Sequence, residues 1–265
     1  MTLLAYIAGV GVLGPGLANW EETRFILIGR SPYVPSRTVI QTAALLPAAE
    51  RRRTGRVVKL AFAVALEATR RAGVAPAQLA NVFSSSGGDG HNCHELCQAL
   101  ALEGREVSPT RFANSVHNAA AGYWSIATGT KLESNVLCAY DASFGAGLLE
   151  AMALVTVDRQ SLLLVAYDTE YPEPIHAKRP VPDAFGVALV LTPDRQGNSL
   201  ARMEVALSED PADSLGNPQL ESLRLSIPAA RSLSLLLRLA SGDSGRTTLD
   251  YLDVARLVVD IEPCL

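Results

Sequence analysis

The seven residues from His91 to Cys97 (HNCHELC) gather two imidazoles and two thiols, ligands that suit zinc. On a helix Cys93 and Cys97 share one face, but four donors packed into seven residues do not easily converge on one ion. The segment is read as a helix start behind a glycine-rich turn, with no metal and no cofactor expected. That turn, SSSGGDG over 84–90, is the kind of loop that cradles an anion at a helix N-terminus. It lacks the lysine and spacing of a phosphate-binding loop, and no serine in it lies in a Gly-x-Ser-x-Gly elbow. Two further nucleophiles stand later in the chain. Cys138 falls in a segment predicted as a strand, where a thiol is expected to be buried and inert. Ser143 attacks an acyl group only if a base lies beside it. Together they keep open a small acyltransferase or thioesterase. All four histidines (His91, His94, His117, His176) precede residue 177. Arg51–Arg53 with Arg56 and Lys59 form a basic run that is either a solvated helix face or a dock for an acidic carrier protein.

The elements that must position these residues are legible from hydrophobic spacing. Residues 3–13 are apolar nearly throughout, as in a strand covered on both faces. Gly9, Gly11, Gly14 and Pro15 suit its entry into a tight turn better than a cleaved leader, and the positive start of a leader is missing. Residues 31–49 read as a loop with a short helical piece. The segment 51–72 predicts one long helix, with Val57, Leu60, Ala61, Val64, Ala65 and Ala68 at helical spacing and Gly73 as its stop. Strands are expected at 81–85, 135–140, 161–167 and 185–192, and helices at 92–103, 117–128 and 143–157. Strands alternating with helices imply an α/β fold, a mixed sheet with helices on both faces. Residues 193–265 are more polar and divergent; Leu223–Leu239 is leucine-rich, and Leu252–Ile261 is apolar. One domain over 1–265 is expected.

Bulk properties narrow the function classes. The 265 residues are 48% hydrophobic and carry a net charge of -4, so neither a nucleic acid nor an anionic membrane is an expected partner. No apolar run reaches the ~18 residues that span a bilayer. Four cysteines in a chain this long make no disulfide framework and read as free thiols packed as small hydrophobes in a cytoplasmic protein.

The stretch 108–155, SPTRFANSVHNAAAGYWSIATGTKLESNVLCAYDASFGAGLLEAMALV, resembles β-ketoacyl synthases of the thiolase fold. The matching positions include Ser108, Pro109, Phe112, Asn118, Ala121, Gly122, Ser125, Ile126, Gly129, Asn135, Gly147 and Ala151. The resemblance covers 1–192, the N-terminal half of a synthase, and is most specific in 108–151. It is closer still to short chain-length-factor-like proteins found beside the synthases of aryl polyene pigments. A synthase of this family carries its nucleophilic cysteine at the turn between strand and helix. Counting forward from Asn135 puts that position at Ala142, and counting back from Ala151 puts it at Asp141; neither replaces a thiolate. The family's two decarboxylating histidines come from a C-terminal half, where this chain has none.

The resemblance therefore implies a non-catalytic subunit of polyene or fatty-acid-type biosynthesis. It would pair with an active β-ketoacyl-ACP synthase, meet acyl carrier protein only indirectly, and shape the acyl tunnel. It also implies that the turn's strand and the preceding helix form the pairing surface, with His117, Asn118, Ala121, Gly122, Tyr123, Trp124, Phe144 and Gly145 as its residues. The small residues at 119–122 and 145–147 suit close backbone approach. The aromatics are interface anchors, tunnel plugs or ordinary core.

Overall fold

A computed structural model describes residues 2–41 and 45–264. Its strands are β1 (Leu3–Leu13), β2 (Ala80–Ser84), β3 (Ser134–Leu137), β4 (Leu162–Asp168), β5 (Phe185–Thr192), β6 (Ala201–Ser208), β7 (Gly245–Asp250) and β8 (Arg256–Pro263). Its helices are α1 (Trp20–Leu27), α2 (Ala48–Arg53), α3 (Arg56–Ala72), α4 (Gly90–Ala101), α5 (Pro109–Ala113), α6 (Ala119–Thr128), α7 (Ser143–Val157), α8 (Pro218–Ser226) and α9 (Leu233–Ser241). The strands join in one sheet of order β3-β2-β4-β5-β1-β6-β8-β7. β3, β2 and β4 run parallel, and every other neighbouring pair is antiparallel.

Side chains that alternate across β4 and β5 build two cores. Leu162, Leu164, Val187 and Leu189 pack with Phe144, Leu148 and Met152 of α7, while Leu163, Val165, Ala188 and Val190 pack with α3 and with Trp124 of α6. Both faces are thus covered, which is why these strands read as continuous apolar runs. Helix α3 lies so close to β1 that a Cβ on Gly9 would stand 2.2 Å from the Ala68 carbonyl oxygen, and one on Gly11 2.1 Å from that of Val64. Glu67, buried on α3, holds the end of β1 and the start of α1. Its carboxylate accepts from Val12 N at 3.0 Å, Trp20 N at 2.8 Å and Arg71 Nε at 3.0 Å. Glu67→Ala strands two buried amides and is expected to lower the unfolding free energy by about 2 kcal/mol, with Glu67→Gln costing less. Urea unfolding followed by circular dichroism measures both.

Several elements differ from expectation for physical reasons. The helix expected over 51–72 breaks at Thr54-Gly55, where both residues are extended, and Gly55 leaves room for Asp89, whose Oδ2 a Cβ there would meet at 2.5 Å. The short helical piece expected within 31–49 is the start of α2, and the part of that stretch over 42–44 lies outside the described residues. Helix α1 was not expected, although Asn19 caps it by accepting from Glu22 N and acidic residues fill its first turn. Residues 193–265 contribute β6, β7 and β8 to the same sheet and α8 and α9 beside it. Among the described residues no helix is long and apolar enough to cross a membrane.

Candidate functional site

Loops at the C-terminal ends of the parallel strands β2, β3 and β4 meet at one end of the sheet, the usual place for a site in such folds. Asp168, the last residue of β4, is buried and ties the loop after β2 to the 3₁₀ turn over Pro228–Ser232. Its Oδ1 accepts from Ser86 N at 2.8 Å, Ser86 Oγ at 2.7 Å and Ser85 Oγ at 3.3 Å, and its Oδ2 accepts from Ala229 N at 2.8 Å. Burial pushes its pKa up from 3.8 to about 6, against the lowering effect of those donors.

The strand-to-helix turn where the resemblance puts a nucleophile is a 3₁₀ turn over Tyr140–Ala142 that feeds α7. Tyr140 sits at its apex in the left-handed region, φ 52°, an unfavourable place for a bulky residue. The residue is 62% exposed, and one face of its ring is covered by the Arg179 guanidinium, 3.6 Å from the ring centroid. Asp141 draws in Arg179 at 2.7 Å and Arg231 at 3.5 Å. Burial works against the Arg179 charge, but Asp141 and Tyr171 outweigh it and raise the guanidinium's pKa. Ala142 is buried.

Ser143 is fully occupied. Its hydroxyl donates to the Tyr140 carbonyl at 2.7 Å and accepts from Ala139 N at 3.0 Å, and the side chain is buried. No imidazole hydrogen-bonds it among the described residues. The expectation of a buried Cys138 is corrected: β3 ends at Leu137, and Cys138 is exposed, its thiol donating to the Ser86 carbonyl at 3.2 Å. Cys93 and Cys97 are exposed too, and Cys264 is half-buried, so the thiols do not serve as core hydrophobes.

The residues expected at a pairing surface divide into two groups. Trp124 is buried, its ring 5.3 Å from that of Phe62, and Ala121 and Phe144 are buried with it or on the α7 side. Gly145 is small for an internal reason, since a Cβ there would meet Tyr251 Cδ2 at 3.0 Å. Asn118 and Gly122 are exposed on α6, and His117 is half-buried with Nε2 3.2 Å from the Ser85 carbonyl oxygen. Tyr123 donates to Asn114 Oδ1 at 3.0 Å. A Cβ on Gly122 would meet nothing within 4 Å, and Ile126 one turn on is 63% exposed. Gly122 and Ile126 line a groove of about 540 Å³ with Val116, Asn114, Pro109 and Arg53. β3 closes one edge of the sheet, and no described strand pairs with its outer side.

A parallel β3-β2-β4 core inside a mixed sheet, with a strand-turn-helix elbow and helices on both faces, is the thiolase-like synthase architecture. The chain belongs to the β-ketoacyl synthase family, whose N-terminal-domain model matches residues 20–243. Among solved structures it is similar to a chain of the ketosynthase ApeO in complex with its chain length factor ApeC from Xenorhabdus doucetiae. That match has 24% identity and a TM-score of 0.73, over 97% of this chain and 99% of the other. The ishigamide ketosynthase/chain length factor matches at 14% identity and TM-score 0.69, over 99% and 100% of the two chains. A β-ketoacyl synthase from Burkholderia phymatum matches at 11% and 0.66, over the full length of both. At these identities the likeness establishes the fold. No match was found among curated proteins.

Proposed function

We propose that this chain is a non-catalytic, chain-length-factor-like subunit that pairs with an active β-ketoacyl-ACP synthase and shapes the acyl tunnel of the complex in polyene or fatty-acid-type biosynthesis. The observation that carries the reading is the elbow: its strand, turn and helix are present, and the turn holds Tyr140, Asp141, Ala142 and a spent Ser143 where a synthase needs a thiolate. The solved relatives that include chain length factors are complexes with a ketosynthase, which supports the same reading. The pairing surface proposed is the exposed side of α6 with the free edge of β3, where Asn118, Gly122 and Ile126 stand. Trp124 and Ala121 hold the α6 side from behind, while Phe144 packs in the core on the other side of the sheet.

Co-expression with an active β-ketoacyl-ACP synthase tests the proposal. A 1:1 complex is expected on size exclusion with light scattering, and the reconstituted complex is expected to make products of a length that the synthase alone does not. A well-behaved monomer that binds no synthase would sink it.

The exposure of Cys138 is the one observation that favours a small acyltransferase or thioesterase. Incubation with acylated carrier protein followed by intact-mass measurement separates the two readings. No stable adduct is expected, and an adduct lost in Cys138→Ala would establish the second. Ser143→Ala is expected to leave that result unchanged and to cost about 1 kcal/mol, because the Ala139 amide loses its acceptor.

A further inference from the structure

Two local rules are broken at the elbow, and nothing inside the chain compensates for either. Tyr140 holds a left-handed backbone, φ 52°, a conformation that a bulky residue keeps only where its surroundings impose it. The residue is nevertheless 62% exposed, with Arg179 over one face of its ring and no other ring or cation contact among the described residues. Arg231 breaks the second rule. It lies in the 3₁₀ turn Pro228–Ser232 with its side chain only 19% exposed, and arginine is seldom buried without partners. Among the described residues its guanidinium has one ion pair, 3.5 Å from Asp141 Oδ2, and no hydrogen bond. Asp141 is already bonded to Arg179 at 2.7 Å. The elbow thus presents a bare aromatic face beside a guanidinium whose forked donors lack an acceptor, and tyrosine and arginine are the residues enriched where interfaces bind most strongly.

We propose that the active synthase of the pair covers this elbow, setting an apolar side chain on Tyr140 and a carboxylate on Arg231. The inference rests on the pairing reading and extends its surface beyond α6 and the edge of β3. That edge is free on its outer side and β3 ends at Leu137, three residues before Tyr140, so a synthase seated along it continues onto the turn. A carboxylate is the complement because a guanidinium takes it through two parallel hydrogen bonds. Strain at Tyr140 and unbonded donors at Arg231 weaken the free chain and are offset once the synthase is in place.

Calorimetric titration of the full-length chain with a purified, active β-ketoacyl-ACP synthase, together with urea unfolding of the free chain, tests it. Tyr140→Gly removes the ring and the strain together; the free chain is expected to keep its unfolding midpoint or raise it, while pairing weakens at least about tenfold. Tyr140→Phe keeps the ring and is expected to pair within about threefold of the parent. Arg231→Gln is expected to leave the midpoint no lower, to weaken pairing about tenfold at low salt and to flatten the dependence of affinity on salt. Variants that pair as tightly as the parent would overturn the assignment while the pairing reading stands. So would variants that lose pairing only in step with a lower midpoint, the mark of a structural role. A parent that pairs with no synthase ends the pairing reading and this inference with it. A second titration, with apo acyl carrier protein, covers the other occupant: a loss confined to the carrier would overturn the assignment to the synthase.

Discussion

Gly122→Leu is expected to leave the chain folded and to weaken its complex with the synthase at least about 100-fold, close to 3 kcal/mol. A glycine inside a helix costs roughly 0.5–1 kcal/mol relative to alanine, so its presence in α6 needs a reason. Nothing in this chain lies within 4 Å of a Cβ placed there, and the residue is exposed. On the proposed reading, the close approach that rewards a missing side chain comes from the synthase. Gly122→Ala separates the two effects by sign. It is expected to stabilise the isolated chain by about 0.5–1 kcal/mol while loosening the complex about tenfold, since even one methyl in a packed contact forces a shift. Urea unfolding of the free chain and calorimetric titration with the synthase measure both quantities. If the leucine variant pairs as tightly as the parent, the α6 face lies outside the interface, even if the heterodimer itself is real.

The same glycine shows where sequence reading stops. In the text, Gly122, Gly145 and Gly147 look alike, each in an alanine-rich stretch with a role in close approach. In the fold, Gly147 makes room for Ser84 and Gly145 for Tyr251, while Gly122 faces open space. Which of three similar glycines meets a partner is a tertiary fact. Strand β5 and helix α7 lie where the spacing predicts them, because two buried faces and an unbroken apolar run leave few alternatives. The break between α2 and α3 was hidden, because the extended backbone at Thr54 and Gly55 interrupts an otherwise helical apolar spacing, and the packing of Gly55 on Asp89 is a tertiary contact. β6 alternates buried and half-buried residues with period two, a signal present in the sequence and overshadowed by the polar turns around it.

At the elbow, counting residues from either side reached Asp141 or Ala142. The backbone, with its left-handed φ, puts Tyr140 at the apex, and a backbone angle at a non-glycine residue leaves no mark in composition or spacing. The turn is also not vacant. Tyr140, Arg179, Asp141 and Arg231 are tied together there through one cation–π contact and two ion pairs. Arg231 of that cluster lies in the Pro228–Ser232 turn that Asp168 holds through the Ala229 amide.

Asp168 should give the chain a pH-dependent stability that Asp168→Asn removes. The carboxyl binds its proton more tightly in the folded state, about 6, than at its ordinary value of 3.8. Its contribution is therefore fully present below the unfolded value and is lost as pH rises through about 6. Two pKa units correspond to about 3 kcal/mol. The unfolding free energy of the parent is expected to fall, relative to that of Asp168→Asn, by about this amount between pH 4 and pH 7, and then to run parallel to it. Asp168→Ala separates the acceptor role from the charge: Ser86 N, Ser86 Oγ and Ala229 N lose their acceptor together, and a loss of about 2 kcal/mol relative to Asp168→Asn is expected at every pH, because neither variant titrates at this position. Urea unfolding at half-unit pH steps measures all three proteins. A parent and an asparagine variant whose curves stay parallel from pH 4 to pH 7 would show that the donors, and not burial, govern this carboxylate, and that the loops around the elbow are held equally well at any of these pH values.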